Sequence, residues 1–505
     1  MAITAGSTNF GSLNSVPAPL PQALADNYID FTSTATQGWA QQYVPDLMEK
    51  EAEVFGQRTI SGFLSQVGAE EAMSSDQVVW SEQGRLHLSY KGHIESVAGG
   101  TGSGGEIEIE VDIDGNDVGA NHGIRVNDTV IVANSEGVVR CVVTAVDTSS
   151  LIDVQPYDFA SLNTASITTT GGTQDTTILV YGSEYGKGDS YNASDGSTTT
   201  GQRGSNEPSF KTFTNKPIIL KDYYAVSGSD TARIGWVEIT SEEGASGYLW
   251  YLKAEADTRA RFGDYLEMAM LEGELNETAS QLDSNALISG SEAGLGKVGT
   301  MGLFQAIETR GNLSSGVTGV NPATDLAEFD AILAEFDNQG AIEENMMFVN
   351  RATSLAMDDM LASMNSYGAG GTSYGVFNNS EDMALNLGFS GFRRGSYDFY
   401  KSDFRYLNDK ATRGSINAAN TANAVRGVIV PAGTSTVYDQ MLGKNLRRPF
   451  LHVRYRASKT DNRKMKTWVT GSVGAATSAL DAMEIHMLSE RCLVTQGANN
   501  FMLMK

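Results

Sequence analysis

Residues 214–229 read TNKPIILKDYYAVSGS, and this stretch decides how the whole chain is interpreted. Its β-branched and aromatic residues favour a strand. From Gly247 the apolar residues recur in steps of three and four, which is typical of one face of a helix. These apolar positions are Leu249, Leu252, Ala256, Ala260, Gly263, Leu266 and Met270. The pattern predicts a strand that leads into a helix roughly 40 Å long, ending at Gly273.

The segment before this strand, residues 182–208, contains few side chains that a core could use. It reads GSEYGKGDSYNASDGSTTTGQRGSNEP. Loops of more than about 15 residues without secondary structure are uncommon inside compact domains. Ordering such a segment costs about 1–2 kcal/mol per residue, which contacts outside the subunit can offset. We therefore expect a flexible tip that another copy of the chain holds in place, with Tyr185 and Tyr191 among the contacts.

Residues 106–156 have the pattern of a separate β-unit. The sequence EIEIEVDID at 106–114 alternates apolar residues with carboxylates, which is typical of a half-buried strand. Turn signals separate three or four further short strands up to Pro156. Upstream, GGTGSGG contains a G-x-G-x-x-G pattern, but a strand rather than a helix follows it, so we interpret it as a linker. The region predicts a small inserted β-barrel.

Composition restricts the partners of this chain of 505 residues. Its formal net charge is −25, so the protein should repel bare DNA rather than grip phosphates. Cys141 and Cys492 are the only cysteines, too few for a disulfide framework, and a reducing compartment is the simplest inference. The first thirty residues lack a secretory pattern, and no apolar stretch reaches the ~18 residues of a membrane helix. We expect synthesis in a cytosol and no membrane partner.

The sequence offers little that points to catalysis. Among five histidines only His87 and His93 are close in sequence, and on one strand they would lie about 20 Å apart. Residues 112–117, DIDGND, resemble a calcium loop, but Gly123 stands where the closing glutamate is needed. The sequence has neither a nucleophile elbow nor a phosphate-binding loop. We predict no catalytic residue, no cofactor, no metal and no enzymatic activity.

The order of these patterns resembles the major capsid proteins of tailed bacteriophages, which have the Hong Kong 97 fold. The stretch 214–229 is similar to the returning strand of their extended hairpin, and 267–273, EMAMLEG, is similar to the end of their spine helix. Gly302-Leu303, Ile307 and Gly311-Asn312 resemble the start of the axial domain, and RRPFLHVRYRAS suits a strand of the peripheral domain. The chain is most similar to proteins of crAss-like and related marine short-tailed phages.

The resemblance implies an α+β fold of the Hong Kong 97 type, with an N-terminal arm, an extended hairpin loop, a long spine helix, axial and peripheral domains, and the small β-barrel as an insertion. The implied segments are an N-terminal arm at 1–73, peripheral-domain strands and the start of the extended loop at 74–105, the inserted β-barrel at 106–156, the extended hairpin loop at 157–246 with its flexible tip at 182–208, the spine helix at 247–273, the axial domain at 274–430, and peripheral-domain strands with the C-terminus at 431–505.

The resemblance also implies a function and partners. Copies of the chain would assemble into hexamers and pentamers of an icosahedral head that encloses double-stranded DNA without sequence-specific binding. A separate scaffold protein and a portal are implied, and a decoration or auxiliary capsid protein is a further partner. Synthesis would take place in the host bacterial cytoplasm and the final location would be the virion. A tail-sheath subunit or a surface adhesin is the alternative, and a secreted polysaccharide-active enzyme is a third.

Six residues are candidates for contacts between subunits. They are Lys221, Asp222, Arg259, Arg261, Tyr185 and Tyr191. The first two lie on the predicted hairpin strand, and the two arginines lie on the predicted helix. The four charged residues are equally consistent with solvated side chains or with ion pairs inside one subunit.

Overall fold

The computed structural model describes most of the chain from residue 69 onward. The described residues are 69–98, 104–118, 121–146, 150–167, 172–187, 210–229, 238–240, 246–275, 299–319, 321–340, 342–364, 391–432, 434–439, 444–472 and 478–505. The predicted N-terminal arm, apart from its last five residues, and Tyr191 lie outside them. Chain contacts divide the protein into two units, Val79–Thr214 and the rest of the chain on either side of it.

Twenty-three strands and six α-helices lie within the described residues. The strands are β1 (Ala69–Met73), β2 (Val78–Gln83), β3 (Ser89–Ser96), β4 (Glu106–Asp112), β5 (Asp128–Ala133), β6 (Val138–Val146), β7 (Leu151–Pro156), β8 (Thr176–Ser183), β9 (Phe210–Asn215), β10 (Ile218–Ser227), β11 (Glu238–Thr240), β12 (Ser246–Tyr248), β13 (Asn312–Ser314), β14 (Glu344–Val349), β15 (Gly391–Arg394), β16 (Tyr397–Asp403), β17 (Gly427–Pro431), β18 (Thr434–Asp439), β19 (Lys444–Pro449), β20 (Leu451–Arg456), β21 (Lys466–Gly471), β22 (Ala482–Thr495) and β23 (Met502–Met504). The helices are α1 (Leu249–Glu272), α2 (Leu303–Arg310), α3 (Pro322–Gln339), α4 (Arg351–Met364), α5 (Arg405–Asn408) and α6 (Arg413–Ala419).

The unit Val79–Thr214 contains a closed six-stranded barrel in the order β3-β4-β7-β6-β5-β8. Along β4 the isoleucines and the valine point into the barrel and the carboxylates point out, as the alternating sequence predicts. The barrel extends beyond the predicted 106–156, because β3 and β8 pair with each other and close it. That pairing joins residues far apart in sequence, so a local pattern does not reveal it.

The strands that flank the barrel in sequence, β2 and β9, pair with each other. Trp80 and Phe213 lie across this pair with ring centroids 6.3 Å apart. The partner of β9 is therefore β2 at 78–83, inside the segment 74–105 in which the sequence predicts the start of the extended loop. The barrel and the predicted tip both lie between these two strands in the chain. The first residues of the predicted tip, Gly182 and Ser183, belong to β8 and pair with β5.

The rest of the described chain contains two main sheets, and β11 with β12 and β18 with β19 form two-stranded sheets. A five-stranded sheet has the order β1-β20-β22-β10, and β21 also pairs with β22. A six-stranded sheet has the order β13-β23-β17-β14-β16-β15. Strand β23, next to the C-terminus, pairs with β13 and β17 in the six-stranded sheet. This strand is apolar throughout and fully buried, so it is stabilised inside a sheet rather than at the surface.

Helix α1 spans Leu249–Glu272, inside the predicted bounds 247–273. Its buried face carries Thr258, Phe262, Leu266 and Met270, which recur every four residues. The predicted stripe differs in its first half, because Ala256 and Ala260 are exposed. Burying an alanine removes little apolar area from water, and here the larger Phe262 defines the packed face.

Candidate assembly surface

Helix α1 covers one face of the sheet formed by β10, β22 and β21. Phe262 and Leu266 of the helix pack with Leu220 of β10 and Met487 of β22. Side chains alternate along a strand, so the neighbours of Leu220 and Met487 point to the other side of the sheet. We call that other side the open sheet face, and its members include Ile219, Lys221, Tyr223, Trp468 and His486.

Three aromatic rings form a row across the open sheet face. Tyr223 of β10 and Trp468 of β21 are both in register with His486 of β22. The rings of Tyr223 and His486 stack with centroids 6.1 Å apart, and those of Trp468 and His486 stack at 5.2 Å. Yet Tyr223 remains 60% exposed and Trp468 remains 37% exposed. This aromatic row is therefore ordered within the subunit and open to solvent.

His486, at the centre of the row, is oriented by polar neighbours. The hydroxyl oxygen of Thr470 lies 2.8 Å from Nε2 of His486, and a carboxylate oxygen of Glu484 lies 3.2 Å from the same nitrogen. These contacts fix the plane on which the other two rings stack. The row is thus a preformed surface, which reduces the entropy that a contacting molecule must offset.

The edge of the sheet adds to this surface. β10 is ten residues long and stands at the end of the sheet order, with β22 as its neighbour. Among the strands that the structure describes, none pairs with its outer edge. Exposed Ile219 and Lys221 lie on the open sheet face of this edge strand. A long, partly apolar edge strand is a template for association with another chain.

The buried side chain of Asn215 fixes the start of β10. Its amide nitrogen donates to the carbonyl oxygens of Met301, at 3.0 Å, and Leu493, at 2.6 Å. Its amide oxygen accepts from the backbone N–H of Met301 at 2.8 Å and from the hydroxyl of Thr300 at 3.2 Å. Asn215 therefore ties three segments together at the base of the sheet. Sequence reasoning missed it, since a single asparagine in a strand carries no recognisable pattern.

The four charged residues predicted to lie between subunits have different surroundings in the structure. Asp222 points to the side covered by α1, where Arg261 Nη2 lies 3.4 Å from a carboxylate oxygen of Asp222. Arg259 pairs with Glu255 one turn earlier in the helix, at 2.7 Å. Both arginines thus form ion pairs inside the subunit, which was the alternative interpretation. Of these four residues, Lys221 alone lies on the open sheet face, and it is exposed.

The remaining predicted contact that the structure describes is Tyr185, which follows barrel strand β8 and is half-buried. Sequence reasoning named Lys221 on the open sheet face but missed Tyr223, Trp468 and His486. Their alternation with buried neighbours could have indicated an aromatic face, but only the strand register brings the three rings together. The surface offers apolar and aromatic contact area beside an ammonium group, and protein interfaces combine an apolar centre with a polar rim in this way.

Comparisons with known proteins give distant likenesses only. No family model matches the chain, and no curated protein is similar enough to count as a relative. A chain from Microbacterium phage Oxtober96 is similar over 91% of this chain and 96% of its own, with 9% identity and a TM-score of 0.35. A chain from Mycobacterium phage Cain gives 90% and 92% coverage, 10% identity and a TM-score of 0.33. A chain of the asymmetric unit of bacteriophage PhiM1 mature capsid gives 62% and 78% coverage, 10% identity and a TM-score of 0.30.

At these identities and TM-scores the likenesses do not establish a shared fold or function. What the described residues establish is an α+β architecture with a small closed six-stranded barrel, a five-stranded sheet and a six-stranded sheet. In the described parts of the chain, every helix is too short or too polar to cross a membrane.

Proposed function

We propose that this chain is the major capsid protein of a tailed bacteriophage, a shell subunit of the Hong Kong 97 type. Its copies assemble into hexamers and pentamers of an icosahedral head that encloses double-stranded DNA. The observation that supports this proposal most is the aromatic row, since Tyr223 and Trp468 are ordered within the subunit but exposed. Tyrosine and tryptophan are enriched at the buried centres of protein interfaces, where they carry much of the binding energy.

Charge favours a further copy of the chain as the molecule that covers the open sheet face. The chain carries a net charge of −25, so another copy brings an excess of carboxylates to a contact. Exposed Lys221 lies beside the aromatic row and complements an acidic surface of a neighbouring subunit. Electrostatic complementarity of this kind gives specificity and fixes orientation. The proposed contact surface thus has an aromatic centre and a basic group at its rim.

The net negative charge also supports a shell whose inner surface does not bind the packaged DNA. An acidic lining repels phosphates and leaves the genome mobile inside the head, without sequence-specific contacts. A scaffold protein, a portal and a decoration or auxiliary protein complete the proposed set of partners. The subunit is made in the cytoplasm of the host bacterium and ends in the virion. Residues 182–208, including Tyr185 and Tyr191, are proposed to contact an adjoining subunit.

Negative-stain microscopy of the purified full chain tests this function. Round shells or hexameric rings are the expected result. The variant Tyr223→Ala/Trp468→Ala should remain folded by circular dichroism but lose these assemblies, because the centre of the contact is removed. Tyr400→Ala is the matched control, since Tyr400 is a strand tyrosine of the six-stranded sheet and is 50% exposed.

The outcomes separate the alternatives. Tubes formed by the unaltered chain would identify a sheath-like subunit, and dispersed monomers at every concentration would contradict a shell subunit. Shells that form equally well from the double variant would show that the aromatic row is not the contact between subunits.

A further inference from the structure

A histidine and three glutamates meet on the outer surface of the barrel, far in sequence from the aromatic row. His93 of β3 is in register with Glu108 of β4. Its Nε2 lies 3.5 Å from a carboxylate oxygen of Glu108 and 3.3 Å from one of Glu95. Its Nδ1 lies 2.9 Å from a carboxylate oxygen of Glu110. The ring is thus surrounded by carboxylates on both nitrogens.

A β-bulge creates this arrangement. The register between β3 and β4 shifts between Lys91 and Gly92, so that Glu110 is the extra residue on β4. At Gly92 an added Cβ would lie 1.8 Å from the carbonyl oxygen of Glu108, a distance that no side chain tolerates. Glycine therefore permits the close approach of the two strands. The bulge brings the carboxylate of Glu110 to one nitrogen of His93 while Glu108 faces the other.

The hydrogen bond to Glu110 sets the chemistry of the ring. An ionised carboxylate only accepts, so the proton of a neutral imidazole lies on Nδ1 and the lone pair lies on Nε2. That lone pair then faces two further carboxylates, Glu95 and Glu108, which repel it unless a cation lies between them. A proton or a metal cation can fill this role.

We propose that this cluster binds a divalent transition metal, with zinc as the best fit. His93 Nε2, Glu95 and Glu108 would be the ligands, and water would complete the coordination. A tetrahedral zinc ion about 2.0–2.1 Å from each ligand atom places those atoms about 3.3–3.4 Å apart. The distances from Nε2 to the two carboxylates, 3.3 and 3.5 Å, match this spacing. The ligand atoms of all three residues lie within 4.8 Å of one another.

The donor types select among metals. Calcium takes six to eight oxygen ligands, and magnesium keeps most of its waters, whereas imidazole with carboxylate suits zinc and its neighbours in the first transition row. Glu110 would be a positioning residue, since a carboxylate on the second ring nitrogen fixes the tautomer and orientation of a ligating histidine. Groups outside the cluster hold the glutamates: the backbone N–H of Gln174 donates to Glu110 at 2.9 Å, and the hydroxyl of Ser150 donates to Glu108 at 3.2 Å.

Isothermal titration of the full chain with zinc chloride, after treatment with a chelator, tests the site. We expect one zinc ion bound by this cluster in each chain. His93→Ala and Glu108→Gln should each abolish that binding event, because each removes a ligand. Glu110→Gln keeps the shape of the positioning residue and should weaken the affinity about ten- to a hundredfold. His87→Ala is the matched control, because His87 is an exposed histidine of the same unit outside the cluster.

Circular dichroism in the presence of chelator should be the same for all variants, since the substituted side chains lie on the outer surface of the barrel. Absence of zinc binding to the unaltered chain would overturn the proposal and leave a proton as the occupant. Zinc binding that survives His93→Ala unchanged would overturn it as well. The site is in the barrel, so neither outcome bears on the proposed assembly function.

Discussion

The barrel and the five-stranded sheet differ in how the edges and faces of their strands are covered. In the barrel every strand has two neighbours, and the inward side chains form one apolar core. In the sheet, helix α1 covers one face, while the other face exposes the aromatic row and β10 forms an edge. A closed barrel needs no partner, because closure removes all edges. The sheet is a surface that another molecule can complete.

The largest expected effect is a loss of stability when the core of the barrel is truncated. Ile107 is fully buried in the barrel core, so Ile107→Ala should lower the free energy of unfolding of that unit by about 2–5 kcal/mol. Val138→Ala, at an exposed position of the same barrel, should change it by less than about 0.5 kcal/mol. Hydrogen exchange of peptides from Val79–Thr214 in the full chain measures both. Equal effects of the two substitutions would mean that the buried core contributes no more to the stability of the barrel than its exposed positions do.

The next effect concerns how the sheet is anchored. Asn215→Ala leaves backbone groups of Met301 and Leu493 without their buried partner, so the unfolding free energy of the sheet unit should fall by about 1–3 kcal/mol. Urea denaturation followed by hydrogen exchange in β10 measures the change. Asn423→Ala, at an exposed position, is the control and should leave exchange in β10 as it is. If the backbone amides of β10 exchange as slowly in Asn215→Ala as in the unaltered chain, this side chain does not anchor the strand.

A smaller effect is expected for the ion pair between Arg261 and Asp222. The guanidinium is half exposed, and pairs of this kind contribute about 0–1 kcal/mol. Arg261→Ala should therefore weaken the subunit slightly and leave assembly intact, as judged by thermal unfolding and by sedimentation. Loss of assembly with no change in unfolding would instead place Arg261 between subunits.

The smallest effect on the subunit itself is expected on the open sheet face. Tyr223→Ala should change the unfolding free energy of the sheet by less than about 0.5 kcal/mol, because its ring is mostly exposed. Chemical denaturation of the dissociated subunit measures this. A large loss of stability would mean that the aromatic row supports the subunit itself, and the contrast between the two regions would then disappear.

Local patterns in the sequence predict much of this architecture. The alternation of EIEIEVD indicates strand β4, and the apolar steps after Gly247 indicate a helix close to the observed α1. Pairings between distant residues are not visible in such patterns. The closure of the barrel by β3 with β8 and the pairing of β2 with β9 therefore could not be read from local sequence.

The candidate sites depend on the same distant pairings. Tyr223, Trp468 and His486 belong to three separate strands, and register alone places them in one row. In the sequence His87 is the histidine nearest to His93, whereas in the structure the partners of His93 are glutamates of the same strand and the neighbouring strand. The bulge at Gly92 that brings Glu110 to the ring has no distinctive sequence signal.

The most direct test is a density map of the assembled particle at the open sheet face. We predict that the rings of Tyr223 and Trp468 are covered by a neighbouring copy of the chain, with an acidic group of that copy near Lys221. A particle in which both rings face solvent, and in which the subunits meet elsewhere, would contradict the account.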